Sequence, residues 1–462
     1  MLIKMKTSVR AILVSTAGML SAGLVVPFGT ITAQAATTTT LTWMLPEDPL
    51  IDSWGNAVVK GFEKAHPGVT IKLITPGSTA YGQKLLTLVA SNQTPDVFTD
   101  WQNTGVYTIT SHNLALNLTP YLKAAGDLTK IPASYKTEFS YQGEVVGVPW
   151  NSNPNFIVYN VDLFKKYKVP LPPTNWSDKS WNLTTVLNDA KKLSHNVSNP
   201  KTAVWGALFS PSSFAFGSFA WLWGADPFND KGGPQDSSAY KGTPVTATYA
   251  TTSGMVQSTT WLANLMNKYH VSPSMGQQTA MSALGNPFFT GKIGMDVVAG
   301  GWLERQAAVA KPTFKWAIAP FPYGPKGVDT AQREDNAFYV SRSSANPKLA
   351  AELLEYAIFG PGQQELITLA KDNPPLGNAA DFKKWENEVF SIPGIDMSRT
   401  AFTNVFEGGL KKDIPDPSNL INDSTDFANA YTQVMAPVWN GQESATKGLQ
   451  NLQNAWQQYL QP

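Results

Sequence analysis

Apolar positions recur along this chain with two alternating periods. Leu41, Trp43 and Met44 form a short apolar run that ends in Pro46-Glu47-Asp48-Pro49, the pattern of a strand leaving into a polar loop before a helix. Over residues 51–65, Trp54, Ala57, Val58, Gly61, Phe62 and Ala65 repeat roughly every helical turn, and His66-Pro67-Gly68 stops the pattern, which predicts a helix. Residues 69–74 read as a second strand, 81–91 as a helix with Leu85, Leu86, Leu88 and Val89 inside, and 94–98 as a third strand. This order predicts an α/β lobe with a largely parallel sheet. Ligands of such sheets sit outside the carboxyl ends of the strands. That rule nominates Glu47 and Asp48 after the first strand, Tyr81 near the start of the second helix, and Asp100, Trp101 and Gln102 after the third strand.

Farther on, residues 143–160 are extended but interrupted by a bend rich in Pro and Asn, as a crossing between lobes requires. Helices are expected over 183–193, 252–268, 347–358 and 445–460, and strands over 292–298, 314–319 and 337–341. Residues 228–242 and 413–424, rich in Gly, Pro, Asp and Ser, read as surface loops. No internal repeat appears. At 462 residues the chain exceeds what one hydrophobic core serves, so at least two lobes are expected.

The N-terminus changes the picture of where the chain works. Lys4, Lys6 and Arg10 precede an apolar run over residues 11–28, and Ala33-Gln34-Ala35 follows, so residues 1–35 read as a signal peptide cleaved after Ala35. The alternative is a membrane anchor, although Ser15, Thr16, Gly18, Ser21, Gly23 and Pro27 dilute the run. The leader holds three of the positive charges and no acid, so its removal takes the net charge from +1 to −2. That balance argues against a nucleic-acid partner. Cysteine is absent, which excludes disulfides, thiolate metal sites, a cysteine nucleophile and lipid attachment through an N-terminal cysteine. The expectation is an exported protein, periplasmic or extracellular.

Candidate chemistry is sparse. The four histidines, His66, His112, His195 and His270, show no metal-ligand spacing, and the G-x-S-x-G, phosphate-loop and dinucleotide fingerprints are missing. No cofactor and no metal is expected. Glycoside cleavage remains an alternative, because it needs only two suitably spaced carboxylates, nominally from Glu47, Asp48, Asp100 and Asp226. The run Asp226-Pro227-Phe228-Asn229-Asp230 could be read as a calcium loop, but it lacks the Gly and terminal Glu of an EF-hand, and a surface turn is the plainer reading. Aromatic residues are more telling. Phe214, Phe216, Phe219, Trp221 and Trp223 crowd one segment, and Trp302 follows Gly300-Gly301 in an expected loop. Sugar rings stack their C–H faces on such side chains while polar groups serve the hydroxyls. Core packing is the competing reading for the phenylalanines.

Phe62-Glu63-Lys64-Ala65-His66-Pro67-Gly68-Val69, Thr94-Pro95-Asp96-Val97, Gly147-Val148-Pro149, Tyr159-Asn160-Val161-Asp162-Leu163-Phe164, Phe289-Thr290-Gly291-Lys292-Ile293-Gly294-Met295 with Trp302, and Pro375-Leu376-Gly377 occur in an order that resembles the extracellular solute-binding proteins of carbohydrate ABC importers, the family that includes maltose-binding protein. The resemblance implies a two-lobed α/β periplasmic-binding-protein fold of type II, each lobe a mostly parallel sheet flanked by helices. It implies an N-terminal lobe of 36–148 with 311–343, a C-terminal lobe of 149–310 with 344–462, and crossings near 145–150, 310–314 and 342–346. It implies a sugar between the lobes, contacted by Glu47, Asp48, Asp100 and Trp101 from one side and Asn153, Trp221, Trp223 and Trp302 from the other, with Tyr81 and Asp226 nearby. The implied partners are a carbohydrate, an oligosaccharide for preference, and the transmembrane subunits of the importer, served by a monomer. A secreted glycoside-active enzyme and a carbohydrate-binding adhesin are the alternatives. Leu20-Ser21-Ala22-Gly23 looks like the start of a lipobox, but Leu24 stands where its cysteine would be.

Overall fold

The first helix shows how local sequence fixes the first lobe. Asp48 caps it, accepting from Leu50 N at 2.9 Å and Ile51 N at 3.3 Å, and Pro49 occupies the first turn, where its missing N–H costs nothing. The helix Pro49–Ala65 then buries Ile51, Trp54, Val58 and Phe62, the face expected from the period. Fully burying each of these side chains contributes roughly 1.5 to 3 kcal/mol. The computed structural model describes residues 38–77, 80–101, 104–230, 245–422 and 424–460. The leader expected over 1–35, Gln102 and most of the loop expected over 228–242 lie outside the described residues.

Among the described residues there are ten strands: β1 (Thr39–Met44), β2 (Val69–Ile74), β3 (Val97–Thr99), β4 (Ser140–Tyr141), β5 (Glu144–Val145), β6 (Val148–Asn160), β7 (Met295–Ala299), β8 (Trp316–Ala319), β9 (Gln332–Val340) and β10 (Ile414–Pro415). The order β2-β1-β3 is parallel throughout, as the alternation of elements required. β9 joins β3 antiparallel, and β6 joins β9 antiparallel. β7 and β8 both run antiparallel to the second half of β6. Sheet direction therefore changes at β9, and β6 links the β9 side of the sheet to β7 and β8.

The bend expected within residues 143–160 is instead one continuous, wholly buried strand of 13 residues. Its turn-forming residues find other uses. A register shift between Pro149 and Asn151 absorbs the first proline, and Pro154 ends the pairing with β9 just before Asn155 takes up β7. A missing N–H is tolerable at such places. The asparagines bond sideways: Asn151 Oδ1 accepts from Asn336 N at 3.1 Å, and Asn155 Nδ2 donates to the Gln332 carbonyl at 2.6 Å.

Two of the apolar cores separate along β6. One gathers Leu41, Trp43, Trp54, Phe62, Val148 and Trp150 with Leu353 and Leu354 of the helix Pro347–Ile358. The other gathers Phe156, Val158, Trp316, Trp385, Phe402 and Phe406. The helix Pro347–Ile358 thus packs beside β1, and β8 pairs with the far half of β6. The segment 413–424, expected as a surface loop, is largely internal. Asp413 accepts from Asn155 N at 2.9 Å and Ala331 N at 3.1 Å, and Asn419 and Ser424 are buried. Its polar composition serves buried backbone groups, not water. Among the described residues, no helix is long and apolar enough to cross a membrane.

Candidate functional site

The carboxyl end of β3 leads straight into Asp100 and Trp101. Asp100 is buried and stitches β3 to β9: Oδ1 accepts from Ala337 N at 2.6 Å and Oδ2 from the Tyr339 hydroxyl at 2.8 Å. Burial pushes its carboxyl well above the usual carboxylate range, against the pull of those two bonds. Trp101 is only partly buried. Its ring stacks on Trp150 at 6.0 Å and 27°, and Trp150 stacks on Trp54 at 5.6 Å and 13°. Trp150 is pinned in turn by donation from Nε1 to Thr99 Oγ1 at 3.0 Å. The half-open face of Trp101 is therefore the end of a column whose orientation the core sets, which gives a rigid platform at little entropic cost on binding.

This platform borders a cavity of about 420 Å³. Gln332, Glu334 and Asn336 of β9 line it; alternate strand residues share a face. Ser212 and Ser213 face them from the turn Pro211–Phe214, and Asp416, Ser418 and Asn419 close a third side. Gln332 is held in place, accepting from Ser218 Oγ at 2.6 Å and donating to the Ser213 carbonyl at 3.3 Å. Two buried atoms on the lining, Trp101 Nε1 and Thr104 Oγ1, have no hydrogen-bond partner. Burial, then the Asp416 carboxylate, pushes Glu334 up to about 7, and burial raises Asp416 as well.

A second polar cluster lies deeper. Arg305, fully buried on the helix Trp302–Ala310, is ion-paired to Asp372 and lies 3.7 Å from Asp48. Burial pushes Asp372 up to about 6 although Arg305 pulls it down. Glu304 accepts from Gly301 N and is pushed up to about 7 by burial. Gly301 has φ +80, and a Cβ there would strike Asn153 Oδ1 and Asp372 Oδ1, so glycine is needed for both conformation and space.

Of the ten residues that the family resemblance places at a sugar site, Asp100 and Trp101 line the cavity. Asp48 and Asn153 belong to the deeper cluster. Glu47 is exposed, its amide bonded to the Pro76 carbonyl at 3.0 Å. Tyr81 is fully buried, its hydroxyl bonded to Met44 O and Thr99 N. Trp221 is fully buried and donates to Asp226 Oδ2 at 2.7 Å, while Asp226 Oδ1 accepts from Phe228 N at 2.7 Å. Trp223 sits in the core with Phe219 and Trp261, and Phe214 and Phe216 are buried too. Trp302, expected in a loop, opens a helix and packs half-buried against the core that holds Phe156 and Phe406.

With that geometry in hand, residues 48–364 match the bacterial extracellular solute-binding protein family. The chain belongs to this family. This solute-binding protein is 26% identical over 280 residues to an ABC transporter-binding protein of Deinococcus radiodurans, covering 57% of this chain and 58% of that one; it thus spans less than two thirds of that curated relative. An ABC substrate-binding protein of Listeria monocytogenes, in complex with cycloalternan, superposes with TM-score 0.73 at 20% identity, over 90% of this chain and 97% of that one. The maltose/maltodextrin-binding domain of Bdellovibrio bacteriovorus, bound to maltotriose, gives TM-score 0.69 at 14% identity, over 91% and 99%. These likenesses carry the two-lobed α/β fold.

Sequence reasoning missed Glu334, Asn336 and Gln332 because Gln332-Arg333-Glu334-Asp335-Asn336 is a run of five polar residues, which reads as loop ahead of the apolar Ala337-Phe338-Tyr339-Val340. The continuity of the run with a strand was the available signal. Asp416, Ser418 and Asn419 of the solute-binding protein were missed because turn composition looks the same in a buried segment as in an exposed one.

Proposed function

We propose that this protein is the extracytoplasmic receptor of an ABC importer, binding a carbohydrate between its lobes and delivering it to the transmembrane subunits. The observation that carries the reading is the Trp101 platform on the wall of a cavity rimmed by amides, hydroxyls and carboxylates: a flat apolar face for a sugar ring, with hydrogen-bond partners around its edge. Family membership supports the importer role, and relatives that hold cycloalternan and maltotriose support a sugar as cargo. The proposed lobes are one built on β1, β2, β3 and the helix Pro347–Ile358, and one built on β7, β8 and the helices Ala379–Val389 and Arg399–Lys412. β6 and β9 form the crossing. Ligand would stabilise the closed arrangement through contacts that an open one lacks. The protein is proposed to be exported, monomeric and without catalytic activity.

Isothermal titration against a panel of neutral mono- and oligosaccharides, with chromatography of the same samples, tests this. Saturable binding with the sugar recovered intact is the expected result. Hydrolysis products would mean a glycoside-active enzyme, and retention only on immobilised polymer an adhesin. Thermal shifts for peptides or phosphate esters with none for sugars would overturn the cargo class.

A further inference from the structure

We propose that the cargo carries a protonated amine, so that the preferred ligand is an amino-sugar oligosaccharide; this rests on the carbohydrate reading above. Among the described residues the cavity lining contains four carboxylates, Asp100, Glu334, Asp335 and Asp416, and no lysine, arginine or histidine. The adjoining cations are already committed. Arg333 is paired with Asp335 at 2.6 Å and Glu138 at 3.4 Å. Arg305, the cation that bears on Glu334, is paired with Asp372 and lies near Asp48. Asp100 is spent on Ala337 N and Tyr339, and Asp335 on Arg333. Glu334 and Asp416 remain on the cavity wall without a paired cation: Asp416 Oδ1 accepts from Ser418 N at 2.7 Å, and its carboxylate disfavours the charge on Glu334. A cation between them would relieve that repulsion and let both ionise.

A bare metal ion does not fit the same arrangement. Among the described residues no group of three or more His, Asp or Glu side chains is placed to hold one. A ligand group that brings its own scaffold and bonds the carboxylates singly does fit. Thr104 supplies an independent pointer to a ligand: it is 2% exposed, its hydroxyl has no partner, and it lines the same cavity. A buried hydroxyl left unbonded costs free energy, and a sugar hydroxyl or amine arriving there removes that cost. Charge-assisted bonds to carboxylates are about twice as strong as neutral ones.

Calorimetric titration of the full chain near neutral pH with the glucosamine trimer, its fully N-acetylated counterpart, maltotriose and spermidine tests the proposal. The glucosamine trimer should bind at least about tenfold more tightly than either neutral trimer. In Glu334→Gln that ratio should collapse toward one, and Asp416→Asn should lower it independently, both in proteins whose thermal unfolding shows them folded. Neutral trimers binding as tightly as the amine would overturn the amine inference and leave the carbohydrate reading standing. Spermidine binding while every sugar fails would overturn the carbohydrate reading. Failure of all four would sink both.

Discussion

Replacing Arg305 by Met asks what the buried guanidinium does, and pH separates the answers. Asp372 is wholly buried, and its carboxyl titrates at about 6 against an ordinary 3.8. Because the folded value lies above the unfolded one, ionising Asp372 costs stability progressively as pH rises from about 4, and the cost levels off above about 6. Without Arg305 the carboxyl loses the cation that holds it down, and its pKa rises further. The cost then keeps growing with pH. Near pH 5 the two proteins carry nearly the same burden from Asp372, since both hold its proton. At about pH 7.5 the variant falls behind by about 1.4 kcal/mol for each pH unit by which losing Arg305 raises Asp372. The lost attraction between Arg305 and Asp48, 3.7 Å apart, adds to this, and breaking such a buried pair costs about 3 to 5 kcal/mol in all. Urea denaturation of both proteins at the two pH values measures it. A loss equal at both values, or larger at pH 5, would refute the reasoning. Adding Asp372→Asn to the variant should reduce the pH dependence to the part carried by Glu304 and Glu334, which Arg305 also holds down.

Other substitutions separate platform from core. Trp101→Ala should weaken sugar binding by about 1 to 3 kcal/mol, or about 5-fold to 150-fold, with little change in Tm; intrinsic fluorescence titration reads it. Trp302→Ala should do the reverse, costing about 2 to 3 kcal/mol of stability while affinity moves little. In Trp221→Phe, Asp226 loses its 2.7 Å donor, which should lower unfolding free energy by about 1 to 3 kcal/mol without altering calorimetric sugar binding. Asn419→Ala removes the acceptor for Val106 N at 3.2 Å and the donor to Glu138 at 3.1 Å, and should lower Tm by an amount equivalent to about 2 kcal/mol.

How much could be read in the sequence differed by element. The helices Leu183–Leu193 and Pro347–Ile358 fall where periodicity placed them, because an amphipathic face of three turns repeats often enough to stand out. The strand Val69–Ile74 and its parallel pairing with β1 follow from the same logic. The position of Asp100 and Trp101 just after β3 was legible as well, since element order alone sets it. By contrast, the burial of Trp221 and Trp223 was not. An indole serves a core or a sugar equally well, and only its neighbours decide.

What the sequence determined by itself was therefore local and periodic: the α/β order, the polar loop before the first helix, and the residues that follow β3. Tertiary structure decided the rest, because it depends on pairings across long separations. Asn151 and Asn336 became ladder partners only when β6 met β9, and Glu334 acquired its raised pKa only when folding buried it and brought it near Asp416, more than eighty residues later in the chain. A carboxylate's charge state, like an indole's role, is set by what surrounds it in space, and no window along the chain contains those surroundings.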